Sequence, residues 1–185
     1  MITVVASLGR AGSSLTMKML SAGGHPVLAN KPGSLEHSGM TLLPEYHHWL
    51  EDGYAVKIND PHIYTPPSGR DYQFIWLTRD PKQQALSMAK LKLATRPQIQ
   101  RRKPRASIRY KMKFIKKSEP KCEALFKRIS RRPVLHITFE ELLADPLWCA
   151  EQMHEVVDRP LDIDAMAAVV KNRSSDNYPG LMENV

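Results

Sequence analysis

An α/β fold is predicted for this chain: one domain over residues 1–185, built as a three-layer parallel sheet flanked by helices. Two observations predict it. Four short runs rich in β-branched or aromatic residues, Ile2–Ala6, Ala55–Ile58, Gln73–Thr78 and Val134–Thr138, are apolar almost without interruption. That is the pattern of strands buried on both faces. Helical patterns fall between and after these runs, and such alternation packs as a parallel sheet covered on both sides.

The elements follow in order. After the first strand, Ser14–Ala22 is helical and stops at Gly23-Gly24, a natural C-terminal cap. After the third strand, Pro81–Leu93 is helical. Asp80 suits the N-cap, Pro81 the first helical position, and Gln83 the return arm of a capping box. Further helices are expected at Ile108–Lys117, Glu119–Ser130, Pro146–Val157 and Ile163–Lys171. Functional sites in such sheets lie beyond the C-terminal strand ends.

The first of those ends reads Ser7-Leu8-Gly9-Arg10-Ala11-Gly12-Ser13-Ser14. Glycines at a strand-to-helix turn let backbone approach an anion, and the helix N-terminus supplies unpaired N–H groups. Gly9, Ala11 and Gly12 shape this loop, Arg10 adds a full charge, and Ser13 and Ser14 add hydroxyls. The nucleotide-hydrolase loop would place Lys after its second glycine, whereas Ser13 stands there. That Lys, with magnesium, manages the charge of a phosphoryl group in transfer. A sulfuryl group carries less charge, so no metal is expected here. A turn without a ligand would use the same glycines.

A second signal closes the third strand. Arg79 ends it, Asp80-Pro81 opens the next helix, and Ser87 lies between one and two turns inside that helix. An arginine fork and a hydroxyl so placed can hold one phosphate from two sides. An ordinary surface ion pair would also account for Arg79.

Together, LGRAGSSL, RDPKQQALS and ITFEELLADP resemble the sulfotransferases that use 3′-phosphoadenosine 5′-phosphosulfate, with a P-loop-type fold. The run PLDIDAMAAVV is similar to small bacterial members. The resemblance implies that Arg10, Gly12, Ser13 and Ser14 hold the 5′-phosphosulfate, and that Arg79 and Ser87 hold the 3′-phosphate. Arg10 stands where many members carry a cation that steadies the bridging oxygen. Lys57 lies on a strand that resembles the family's lysine-bearing strand beside the acceptor. An acceptor hydroxyl or amine must lose a proton, and two positions compete to take it. His62 follows Lys57 and Asp60 at the end of the second strand, and Glu36 lies after the first helix, where relatives often carry an acid. Either could equally be a surface polar residue. His47-His48 in a helix, His136 inside a buried strand and His25 in a turn are read as structural.

The net charge of +8 is concentrated. Eleven of the 27 Lys and Arg residues, but one of the 19 acids, fall between Arg96 and Lys121. The segment at about 95–121 is read as a basic helical insertion. Pro97 and Pro104 disfavour regular helix in its first half, while Ile108, Met112 and Ile115 give the second half an apolar stripe. It could clamp a small-molecule or anionic acceptor, cover the cofactor as a lid or lie on nucleic acid, and a solvated arm is the plainer reading. Tyr110 and Phe114 alone offer little for base stacking. Two cysteines and an opening strand in place of a signal peptide point to the cytoplasm, and no membrane partner is expected. A P-loop kinase acting on a nucleotide or nucleic acid is the alternative function, as is a non-catalytic nucleotide- or nucleic-acid-binding member.

Overall fold

The structure is a computed structural model and describes residues 1–28, 50–95 and 104–171. The strands β1 (Ile2–Ser7), β2 (Ala55–Asn59), β3 (Tyr72–Thr78) and β4 (Leu135–Thr138) form one sheet in the order β2-β1-β3-β4. Every pairing is parallel. In register, Ser7 sits between Asn59 and Leu77, so three strand ends open on one edge.

Six helices are described. On one face lie α1 (Ser13–Ala22), the short α4 (Phe139–Ala144), α5 (Pro146–Val156) and α6 (Ile163–Lys171). On the other lie α2 (Pro81–Thr95) and α3 (Pro104–Ile129). Each strand residue therefore serves one of two cores. Val5, Ile75 and Leu77 face Met17, Leu20, Met153 and Met166. Val4, Ala6, Phe74 and Trp76 face Ile115, Cys122 and Phe126. The second core is aromatic: Phe126 packs 4.7 Å from Phe74 and 5.1 Å from Trp76, centroid to centroid, pairings that add about 1 kcal/mol each beyond burial.

Several expectations need correction. The two helices expected from Ile108 to Ser130 are one, running through Pro120 from Pro104. Pro104 starts it because the first helical position needs no N–H, and burial of Ile115, Ser118, Cys122 and Phe126 along one face holds it across Pro120. Residues 96–103, including Pro97, lie outside the described residues. Asp80 caps α2 as expected, its Oδ1 accepting from the Gln83 N–H at 2.8 Å. The return arm comes from elsewhere, since the Asp80 N–H donates to Glu140 Oε1 at 3.3 Å. His136 is no core histidine. Strand β4 lies at the sheet edge, and the ring is 54% exposed with Nδ1 3.7 Å from Glu123. The helix α4 went unforeseen, although Thr138 and Glu141 form a full capping box, a sequence signature in its own right. His47-His48 lies outside the described residues.

His25 is more than a turn residue. Its ring is 4% exposed, with Nε2 3.0 Å from Thr3 Oγ1 and Nδ1 3.0 Å from the Pro26 carbonyl. Burial lowers its pKa below the ordinary 6.5; the Pro26 interaction opposes this and Arg159 adds to it. Its folded pKa being depressed, neutral His25 favours the fold above pH 6.5, and that share is lost as pH falls and the unfolded chain binds the proton first. His25→Gln should flatten stability between pH 7.5 and 5.5, by at most about 1.4 kcal/mol per pH unit for one proton. Urea denaturation of both proteins across that range measures it.

Candidate functional site

The connection from β1 runs to β2, on one side, and that from β3 runs toward β4, on the other. The crevice between the β1 and β3 ends is thus the topological switch point, where open α/β sheets bind ligands. The loop Leu8–Gly12 lies at this point.

The loop turns tightly because three of its residues are left-handed. Gly9 has φ 69°, Arg10 φ 59° and Gly12 φ 98°. Successive N–H groups in such a turn converge on a concavity suited to an anion. For Arg10, a residue with a Cβ, that geometry costs about 1 kcal/mol. Gly12 is the N-cap of α1 and is required twice over. Its φ disfavours a side chain, and a Cβ would lie 2.8 Å from Phe139 Cδ2 and 3.2 Å from Leu142 Cδ1. The turn is pinned from below as well. Ser7 Oγ accepts from the Gly9 N–H at 3.2 Å and donates to Asn59 Oδ1 at 3.0 Å. Gln84, 1% exposed on α2, donates from Nε2 to the Gly9 carbonyl at 2.7 Å and the Leu8 carbonyl at 3.4 Å.

Most of the residues singled out from sequence meet here. Arg10 Nε donates to Ser87 Oγ at 3.2 Å. Arg79 Nη1 donates to the Arg10 carbonyl at 3.4 Å, and the Arg79 guanidinium stacks 4.3 Å from the Phe139 ring centroid, which fixes the plane of its fork. From the other flank, Lys57, 6% exposed, reaches Ser14 Oγ at 3.0 Å. Three cationic side chains thus surround one backbone turn at the N-terminus of α1. Ser13 is buried beneath it and Ser14 is exposed above it.

His62 stands apart from this cluster. Its Nδ1 lies 3.4 Å from Cys122 Sγ and its ring 6.1 Å from Phe114, both on α3. Burial, and then the nearby Lys121 charge, hold the imidazole below its ordinary pKa. Cys122 is no nucleophile, because burial foremost, with the Asp60 charge among the lesser causes, pushes its thiol up to about 12. Glu36 lies outside the described residues.

A separate open groove of about 810 Å³ lies on the far side of Arg79, between the end of β3, α3 and α4. Asp80, Glu119, Glu123 and Glu140 line it. Burial and then Glu123 raise the Glu119 pKa, against the opposing Lys116. Arg79 and Lys127 line it as well, so the groove is mixed in charge.

Sequence reasoning missed Gln84 and Phe139. Gln84 follows the residue assigned to the capping box, and nothing in its local pattern points at the loop. Phe139 sits inside ITFEELLADP, where the resemblance flagged the stretch without giving the ring a task.

No family model matches the chain, and no curated protein does. Among solved structures, the chain is similar to the crystal structure of the sulfotransferase STF9 from Mycobacterium avium, with a TM-score of 0.57 at 12% identity. The match covers 92% of this chain and 66% of that one, just short of two-thirds of its length. At this identity the likeness shows the fold alone, a parallel α/β sheet flanked by helices as expected from sequence.

Gln84→Ala should leave two loop carbonyls without their donor and cost about 1–3 kcal/mol. Amide exchange should quicken across Leu8–Gly12 while β1 and α1 stay protected, since the support removed is local. Exchange mass spectrometry with a urea titration checks both.

Proposed function

We propose that this protein transfers a sulfuryl group from 3′-phosphoadenosine 5′-phosphosulfate to a hydroxyl or amine of an acceptor. The observation that carries the reading is the convergence of Arg10, Arg79 and Ser87 on one left-handed loop whose second glycine is followed by Ser13 and not by lysine. The donor set suits a ligand with separate phosphate groups. Backbone N–H groups from Arg10 to Ser14 and the Arg10 side chain would hold the 5′-phosphosulfate, and Arg79 with Ser87 would hold the 3′-phosphate. For this Ser87 must exchange the Arg10 guanidinium for a phosphate oxygen, a rotation of two side chains that leaves the backbone in place. Lys57, through Ser14, would face the sulfuryl group from the acceptor side. His62 and Glu36 are the sequence's candidates for the departing proton. A cytoplasmic location belongs to the same proposal, supported by the free thiols of Cys122 and Cys149. Among the described residues, no helix is long and apolar enough to cross a membrane.

The exposed side of α3 supports binding of an anionic acceptor or of nucleic acid. Arg109, Lys113, Lys116, Lys117, Lys121, Lys127 and Arg128 are all exposed. At 3.6 residues per turn they share one side of the helix, over about 30 Å. The α3 acids Glu119 and Glu123 are half-buried at its margin.

A thermal-shift panel tests the donor. Adenosine 3′,5′-bisphosphate should raise the melting temperature without magnesium and more than ADP does, because a ligand of the folded state stabilises by mass action. Equal shifts from ADP, or a strict need for magnesium with ATP, would favour a kinase instead. Arg79→Ala should weaken bisphosphate binding by roughly 2–4 kcal/mol. Arg10→Ala should lower turnover about 10²-fold and affinity less, since its interaction strengthens as the leaving oxygen gains charge; loss of affinity alone would refute its role.

The cationic side of α3 has its own test. Replacing Lys113, Lys116, Lys117 and Lys121 with Ser should flatten the salt dependence of polyanion binding. The log–log slope should fall by roughly 0.7–0.9 for each phosphate that the variant no longer neutralises. Bisphosphate affinity should hold. Filter binding of heparin and duplex DNA at two salt concentrations decides, and an unchanged slope would make the face a solvated one.

A further inference from the structure

Asp60 is the first residue beyond β2. Its N–H donates to the Ser7 carbonyl at 2.8 Å, which ties it to the last residue of β1 before the phosphate loop. Its φ of 53° is left-handed, a conformation an aspartate adopts at a cost. The chain then turns back at once, the Ile63 and Tyr64 N–H groups both donating to the Asp60 carbonyl. The backbone around this carboxylate is therefore fixed.

The carboxylate itself is poorly provided for. Asp60 Oδ1 is buried and meets no hydrogen-bond donor among the described residues. Around it stand Cys122 on α3, whose thiol feels the Asp60 charge, and His62 in the following turn, with Lys121 beyond. The His62 ring is engaged with Cys122 and Phe114, and Lys57 runs to Ser14. A buried carboxylate oxygen without a donor costs stability. A residue that costs stability at a strand end beside a site is where function outweighs folding.

Resting on the sulfuryl-transfer reading, we propose that Asp60 is the base that takes the acceptor's proton. As the acceptor oxygen or nitrogen bonds to sulfur, its proton passes to the Asp60 carboxylate. The electron pair of the breaking sulfur–oxygen bond goes to the 5′-phosphate, so protons and charge balance. Burial raises the Asp60 pKa, which makes the carboxylate a stronger base nearer neutral pH, while the His62 imidazole is weakened. Asp60 follows β2 and Arg79 follows β3, on opposite sides of β1, which leaves the crevice between β1 and β3 to the donor.

The test uses the full chain, with 3′-phosphoadenosine 5′-phosphosulfate as donor and water as acceptor, following release of adenosine 3′,5′-bisphosphate from pH 5 to 8. Asp60→Asn should bind the bisphosphate within about twofold of wild type, since it lies off the phosphate-binding groups, yet release it about 10²-fold more slowly. The acid limb of the pH profile should vanish with the carboxylate. The raised pKa favours the protonated, folded form at low pH, and that advantage is lost as pH rises through the folded value. Asp60→Asn should therefore melt at or above the wild-type temperature at pH 7, with the difference shrinking toward pH 4. Asp60→Glu should restore part of the rate. Unchanged release by Asp60→Asn, melting below wild type at both pH values, or a wild type that binds the bisphosphate without cleaving the donor would each overturn the assignment. A wild type that does not bind the bisphosphate would overturn the sulfuryl-transfer reading, and this assignment with it.

Discussion

Five residues, Leu8 to Gly12, must turn the chain from a strand buried on both faces into a helix that packs against the same sheet. That short path forces left-handed backbone at Gly9, Arg10 and Gly12, and the rest of the site is arranged around making it tolerable. From one side, Phe139 and Leu142 fill the space a Cβ on Gly12 would need. From the other, Gln84 ties down two loop carbonyls. Beneath, Ser7 links the turn to β2 through Asn59. Elements distant in sequence are thus clamped to one turn. Folding of the turn and the proposed anion binding draw on one geometry.

The charges around that turn are sorted by strand. Arg10 and Arg79 belong to the β1 and β3 ends, with Ser87 between α2 and the loop. Lys57 comes from β2 but crosses to α1. The half-buried Asp60, whose Oδ1 is covered, stands one residue beyond β2, on the flank away from Arg79. A transfer reaction needs cations where the leaving group gathers charge and a base where the nucleophile loses its proton. Parallel register between β1 and its two neighbours puts the chain after β2, with Asp60, and the chain after β3, with Arg79, on opposite sides of one loop.

Helix α3 serves two purposes through its two sides. Ile115, Cys122 and Phe126 complete the aromatic core on β3, which is why a proline at position 120 does not end the helix. The opposite side carries only exposed cations and small or polar residues, apart from Tyr110 at 73% exposure. The charge run and the apolar stripe are thus two aspects of one amphipathic element. Its acids lie at the margin, where Glu119 and Glu123 turn toward the groove beside Arg79.

The sequence by itself determined the parallel α/β class, the strands and the glycine loop after the first of them, because these rest on local information: continuous apolar runs, glycines at a turn, a capping aspartate before proline. It also marked Arg10, Arg79 and Ser87, whose places in the loop, just past a strand end and between one and two turns into a helix follow from position alone. Tertiary structure decided the rest. The edge position of β4 exposes His136, and strand order is invisible in a run of four residues. Packing on Phe74 and Trp76 joined two expected helices into α3, because burial along a whole face outweighs one missing backbone hydrogen bond. Gln84 became the support of the loop, and Phe139 the platform under Arg79, only when residues 75 and 60 positions apart came together. Asp60 reads in sequence as one of three polar residues, with Lys57 and His62, around the end of the second strand. Its missing partner is a property of the space around it, which no local pattern encodes.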